Sequence, residues 1–302
     1  CDDGSCNAPS IYGCTNDISN NYNPNATFDD GSCTFIKTYV PDDNFEIWLE
    51  ANGYGDGDPQ NDSVLTVLIE SISILNLANK GIEDITGIED MPWVNQVYLG
   101  SNNLTTADFS SNNYIVYFFL YDNDSLSNVI LPDSNIYNNT IEYVDLSNCN
   151  ISSINLPSNL DIKRLLLTNN PLINLDVSTH PYLNELNISN TNLNSLDLSN
   201  NSLEKFYCTD MDYLTELDLR NGINLVNLTT QYISNNPNLN CISVSDTAIA
   251  ASVLTNIDPW VSFSLNCTGN GCTDSTALNY DPTATNDNGS CTYCNYGCMD
   301  PV

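Results

Sequence analysis

Two stretches of this chain place oxygen ligands and thiols at matching positions. In the first, Cys14, Asn16, Asn21, Asn23, Asp29, Asp30 and Cys33 align with Cys272, Asp274, Asn279, Asp281, Asp287, Asn288 and Cys291 in the second. The cysteines are 19 positions apart in both. A module of about 20 residues has almost no core and needs a staple. A disulfide closing such a loop stabilises it by about 3 kcal/mol in the chain-entropy view. The spacing therefore predicts Cys14–Cys33 and Cys272–Cys291 bonds. Carboxylates and amides around a Gly that permits a tight turn also suit a structural Ca²⁺. The same residue types make turns without any ion.

The chain holds 12 cysteines, and ten of them lie in or beside the end regions. No pair of CxxC motifs has zinc spacing, and the lone His180 cannot complete such a site. Disulfides in an oxidising compartment fit the pattern better. Residues 1–6, CDDGSC, read as the tail of a further cassette, and 297–302, GCMDPV, as the head of another. Cys1, Cys6 and Cys298 are then expected to lack partners in this chain, and Cys294 is ambiguous. The start at Cys1 reads as a mature chain or an excerpt.

Charge narrows the classes of partner. The 38 Asp and Glu outnumber the 6 Lys and Arg, for a formal net charge of −32. Nucleic acid and anionic membranes would repel such a surface. No apolar run approaches the roughly 20 residues that span a bilayer, so membrane insertion is not expected.

The elements that carry the cassettes have their own period. The template L-x-x-L-x-L-x-x-N-x-L fits 94–104 (VNQVYLGSNNL), 141–151 with Cys149 in the Asn place, 162–172, and 183–193 with Thr191 in that place. Looser copies start at 72, 115 and 203. The pattern predicts a leucine-rich-repeat solenoid with coils of about 21 residues. Each coil places a short strand on one face. The Asn side chain satisfies backbone groups in the following bend. Cys149 and Cys208 read as reduced core thiols. Second half-repeats at 104–110, 151–157, 172–178, 193–199 and 214–220 predict an extended second face. Roughly eight coils at about 4.8 Å each make a rod of about 40 Å.

The expected fold is therefore mainly β. A short N-cap helix over 41–53 has Phe45, Trp48 and Leu49 as its apolar stripe. A C-cap over 236–267 would be locked by a Cys241–Cys267 bond, with Trp260 and Phe263 covering the open end of the core. The domain boundaries read as a cassette tail at 1–6, a cassette at 7–35, an N-cap at 36–71 and the solenoid at 72–235. The C-cap follows at 236–267, a second cassette at 268–293 and a cassette head at 294–302.

These motifs resemble secreted surface proteins of the Bacteroidota. In that family a repeat domain opens with PDxNFExxL, here 41–49, and closes with NPNLxCIxV, here 236–244. Modules of the form GCTDxxAxNYxPxAxxDDGSC recur beside such domains. The resemblance implies export, commonly by type IX secretion, and display on the cell surface, with no agreed activity. The first cassette departs from the pattern at Asn16 and at 18–20. The resemblance also implies O-glycosylation at Asp-Ser/Thr followed by an apolar residue or Thr, which here selects Ser63, Ser125, Thr247 and Ser275.

Catalysis is not expected. No Gly-rich phosphate loop, nucleophile elbow or HExxH occurs, and His180 falls in a turn where a solvent-exposed loop residue is expected. Two non-catalytic readings stand. One is a segment of a repetitive adhesin, fibre or stalk, whose partners are neighbouring cassettes or copies. The other is a discrete receptor for a glycan or peptide. It would use the outward aromatics Tyr98, Tyr117, Phe119, Tyr121 and Tyr143, which could equally stack along the strand ladder.

Overall fold

The computed structural model describes residues 10–136, 139–220, 225–267, 269–278, 280, 284, 286–287 and 291–293. The spacing of apolar residues dictates its main feature, a stack of parallel coils. Eight three-residue strands form one sheet in chain order: Ile74–Asn76, Gln96–Tyr98, Tyr117–Phe119, Tyr143–Asp145, Arg164–Leu166, Glu185–Asn187, Lys205–Tyr207 and Thr230–Tyr232. All seven pairings are parallel. Side chains alternate across a strand, so the middle residue of each turns inward. Leu75, Val97, Phe118, Val144, Leu165, Leu186 and Phe206 are all fully buried.

The eighth strand escaped the sequence template because its inward residue is Gln231, buried against the C-terminal cap. Its side-chain oxygen accepts the backbone N–H of Thr255 at 3.0 Å and of Asn256 at 3.2 Å. Leu228, Ile233 and Leu239, close to it along the chain, are buried too.

The second face is extended in two blocks. Thr106–Asp108 pairs with Asn128–Ile130. Ser195–Asp197, Glu216–Asp218, Cys241–Ser243 and Ser262–Ser264 form a four-stranded sheet. The C-cap thus continues the solenoid's second sheet. Residues 151–157 and 172–178 are not helical, but they carry no strand pairing. Pro157 and Pro171 border these stretches and offer no N–H to a ladder. The bond from Ile173 N to Ser152 O joins the two stretches.

Two spines of polar side chains stitch the bends. In the first, Asn102, Asn123 and Asn170 each donate from Nδ2 to a carbonyl of the preceding coil, at 2.9, 3.0 and 2.8 Å, and to one of their own coil. Their Oδ1 atoms accept the backbone N–H of Ile82, Leu104 and Ile151. Asn236 joins Cys208 O to Met211 N in the same way. Cys149 and Thr191 stand in this column with weaker or fewer contacts: Cys149 Sγ to Leu120 O at 3.5 Å and Thr191 Oγ1 to Ile188 O at 2.9 Å. Cys149 and Cys208 are free, buried thiols.

The second spine lies at the bend after the second face. Asn112, Asn135 and Asn201 donate to Ile88 O, Ile115 O and Val177 O of the coils before them. His180 occupies the same kind of place. It is fully buried, and its Nδ1–H donates to Leu160 O at 2.9 Å. The expectation of an exposed His180 is corrected: the turn that carries it folds inward, because buried carbonyls there need a donor.

The bend after each strand of the eight-stranded sheet needs a left-handed backbone. Asn79, Ser101, Asp122, Asn148, Asn169, Asn190, Asp210 and Asn235 all have φ between 54° and 62°. Asn and Asp tolerate this conformation best among residues with a side chain. Their side chains also bond along the stack, from Asn190 to Asn169, Asn169 to Asn148 and Asn148 to Asp122. The abundance of Asn and Asp therefore has a structural origin in the coil geometry.

Both ends of the stack are covered. The helix Asp43–Ala51 buries Phe45 and Leu49, while Trp48 is half-buried and stacks on Tyr54. Asp42 caps the helix through Oδ1 and accepts Glu83 N and Asp84 N through Oδ2. That one carboxylate ties the cap to the first coil. At the other end the helix Thr247–Val253 is capped by Asp246 and buries Ala250. Phe263 packs at the edge of the core, but Trp260 is 51% exposed and does not close it. Val253, Ile257 and Val261 pack against the core there. Among the described residues no helix is long and apolar enough to cross a membrane.

Candidate binding face and end cassettes

The outward residues of the eight-stranded sheet fall into two columns set by strand register. One runs Ile74, Gln96, Tyr117, Tyr143, Arg164, Glu185, Lys205 and Thr230. The other includes Asn76, Tyr98, Phe119 and Asp145, and further on Leu166, Asn187, Tyr207 and Tyr232. Four of the five predicted aromatics come together here. Tyr98 and Phe119 stack with ring centroids 4.7 Å apart and planes 6° apart. Phe119 also lies 6.5 Å from Tyr117 and 5.1 Å from Tyr143. All four are half-buried. Tyr121 lies just beyond, flat over Gly100: a Cβ there would come within 2.7 Å of the ring.

Beyond the aromatics the face becomes charged. Lys163 bonds Glu142 at 2.6 Å, and Glu185 receives Lys205 at 3.3 Å and Arg164 at 3.9 Å. Lys163, Arg164 and Lys205 are half of the chain's 6 basic residues, gathered on or beside one sheet of a strongly acidic chain. A second aromatic pair, Tyr207 and Tyr232, stacks at 5.8 Å near the far end. Sequence reading missed this pair because the coil carrying Tyr232 was not recognised.

Burial, then the neighbouring Asp145 and Glu185, push the Tyr143 phenol up to about 12. Burial also raises the Asp145 carboxyl. The arrangement offers flat apolar rings with hydroxyl rims, the chemistry that suits stacking with neutral rings or an extended chain.

Each end cassette has a disulfide spanning 19 positions with Cα atoms 4.8 Å apart: Cys14–Cys33 and Cys272–Cys291. Each also has a two-residue parallel pairing, Tyr12–Gly13 with Phe28–Asp29 and Asn270–Gly271 with Asn286–Asp287. A third disulfide joins Cys241 to Cys267.

The described oxygen donors of the cassettes serve turns. Asn16, Asn23, Asp29 and Asp30 each accept the backbone N–H two residues on. Asn21 bridges Ser32 O and Thr34 N. Asp274 accepts Thr276 N and the Tyr293 hydroxyl. These bonds hold the Asp30 and Asp274 carboxyls below the usual range, Asp30 through Ser32 and Asp274 through Thr276. Asn279, Asp281 and Asn288, the side chain of Asp287, and Cys1, Cys6, Cys294 and Cys298 lie outside the described residues. Of the four hydroxyls singled out by sequence, Ser125, Thr247 and Ser275 are exposed. Ser63 is half-buried in the strand Ser63–Leu65, and its hydroxyl donates to Asn61.

No family model matches the chain, and no curated protein matches it. Solved structures do. An internalin, inlF, from Listeria monocytogenes matches with TM-score 0.51 and 19% identity, covering 74% of this chain and 68% of that one. The fold is a leucine-rich-repeat solenoid. The functional domain of InlJ from Listeria monocytogenes, described as including a cysteine ladder, matches at TM-score 0.48 and 21% identity, over 78% of this chain. This chain spans only 50% of that one. A leucine-rich repeat protein from Bacteroides ovatus matches at TM-score 0.36 and 15% identity, over 64% of this chain and 54% of that one.

Proposed function

We propose that this chain is an extracellular, non-catalytic recognition module, which binds a neutral glycan or an extended peptide on the outward face of the eight-stranded sheet. The observation that carries the reading is the cluster of Tyr98, Tyr117, Phe119 and Tyr143 on an uncovered strand face. Half-buried rings stacked side by side give a ligand flat apolar area with polar rims. The net charge of −32 disfavours anionic ligands. Three disulfides favour an oxidising compartment, consistent with surface display. Affinity electrophoresis through gels containing neutral polysaccharides tests it. Retardation of the native chain, lost in Tyr98→Ala/Tyr117→Ala, supports the reading, and equal mobility of both in every gel opposes it for glycans.

A second reading rests on the matched cassettes. Two stapled modules of the same geometry flank one solenoid, which suits a bead in a longer adhesin or stalk. Electron micrographs of native material would show beads at constant spacing; isolated single particles would count against the fibre. Structural calcium in the cassettes belongs to this reading, because turn contacts leave each carbonyl or carboxylate oxygen a second lone pair. Sugar on Ser125, Thr247 and Ser275 would shield such a surface, and peptide mass spectrometry of native material detects it.

A further inference from the structure

The N-cap carries an acidic cluster distinct from both cassettes. One carboxylate oxygen from each of Asp43, Glu46 and Asp62 lies within 4.8 Å of the others. Asp43 and Glu46 sit one turn apart on the helix Asp43–Ala51, so their side chains share a face. Asp62 arrives from the loop before the strand Ser63–Leu65, with φ of 55°. Asp43 and Asp62 are exposed, whereas Glu46 is fully buried.

Glu46 is the unexpected member. Its Oε1 accepts Ser63 N at 3.1 Å and Asn61 N at 3.3 Å. Its Oε2 is buried and has no hydrogen-bond partner. A buried carboxylate with an empty oxygen is costly unless a charge or donor satisfies it. Among the described residues no Lys or Arg pairs with any of the three; the nearby Lys37 is spent on Asp56 and the Ser63 hydroxyl. Three like charges, one of them on a buried carboxylate with an unsatisfied oxygen, are what a cation would reverse.

We infer that Asp43, Glu46 and Asp62 hold a calcium ion that pins the helix of the N-cap to the strand beside it. The donors are all hard oxygens, which select against zinc and copper. Calcium takes oxygens at about 2.3–2.6 Å, so ligands on opposite sides of it stand about 4.6–5.2 Å apart. The separations in the cluster fall inside that shell. Asp43 and Asp62 leave the outer side open to water, which completes the six to eight ligands that calcium prefers. The ion would also explain why the chain buries a glutamate where the neighbouring Phe45 and Leu49 are apolar.

Equilibrium dialysis against calcium chloride, together with thermal unfolding in calcium and in chelator, tests the site. The full chain is compared with Asp43→Asn/Asp62→Asn, whose changed residues are exposed and do not threaten folding. The expected result is one fewer bound ion per chain in the double variant, and loss of a calcium-dependent rise in Tm. Glu46→Gln is expected to lose the same rise, and Asp29→Asn/Asp30→Asn in the first cassette to keep this ion. Equal Tm in calcium and chelator for the native chain would overturn the inference, as would an unchanged ion count in Asp43→Asn/Asp62→Asn. A rise in magnesium equal to that in calcium would overturn the assignment of the metal.

Discussion

Asn170 Nδ2 lies 2.8 Å from the carbonyl of Leu146, one coil back, and 3.0 Å from that of Leu167 in its own coil. A single side chain therefore closes the backbone of two consecutive coils, and its Oδ1 also holds Ile151 N. Leaving such buried groups unpaired costs about 1–3 kcal/mol each. Asn170→Ala is expected to destabilise the solenoid by about 3 kcal/mol or more. Cys149→Asn, which restores the missing donor pair in the preceding column position, should stabilise it by about 1 kcal/mol. Urea titrations followed by circular dichroism measure both. A stabilised Asn170→Ala would contradict the spine.

His180 gives a pH dependence with a definite sign. Burial lowers its pKa from 6.5, against a weaker opposing effect of its bond to Leu160 O. The unfolded chain therefore takes up a proton there at a pH where the folded chain does not. The contribution of neutral His180 is complete above 6.5 and is lost as pH falls through the lowered folded value. His180→Asn keeps a donor of the kind that Asn112 and Asn201 supply. Between about pH 7 and about pH 5 the native chain should lose stability relative to His180→Asn. Parallel stability curves for the two proteins would undo this assignment.

The two free thiols should be inert in the native state. Cys149 is pushed up to about 11 by burial, and burial also raises Cys208. Thiolate is the reactive form. Brief alkylation at neutral pH followed by peptide mapping should leave both unmodified, and alkylation in denaturant should label both. Rapid native labelling of Cys208 would be incompatible with its place in the core.

Each cassette depends on its staple more than the solenoid does. Cys14→Ser/Cys33→Ser removes about 3 kcal/mol from a module with little core of its own. Hydrogen exchange should rise across 10–35 and stay unchanged in the strands from Ile74 onward. Increased exchange throughout the eight-stranded sheet would mean that the cassette supports the solenoid.

The solenoid was legible because its inward positions are filled by Leu, Ile, Val and Phe at a steady interval, and because Asn102, Asn123 and Asn170 mark the bends. Gln231 hid the eighth strand, since a buried polar residue at an inward position breaks the apolar template while the cap satisfies it through the backbone N–H of Thr255 and Asn256. His180 was misplaced for a related reason: a donor that bonds a buried carbonyl reads, in sequence, like any polar turn residue. Trp260 shows the reverse error, a large apolar residue assigned to the core that the fold leaves exposed. The outward aromatics were legible from alternation alone, but the 4.7 Å stacking of Tyr98 on Phe119 needed the register. The carboxylates of Asp43, Glu46 and Asp62 meet only once the antiparallel pair of Lys37–Tyr39 and Ser63–Leu65 forms beside the helix.

The most direct test of the central claim is binding of the intact chain to an array of neutral glycans and extended peptides, run beside Tyr98→Ala/Tyr117→Ala. Stacked aromatic pairs contribute about 0.5–1.5 kcal/mol each, so the variant should remain folded with a modestly lower Tm. The account predicts specific retention of the native chain on a defined subset of spots and its loss in the folded variant. Equal retention of both proteins, or none by the native chain, would contradict a recognition role for this face.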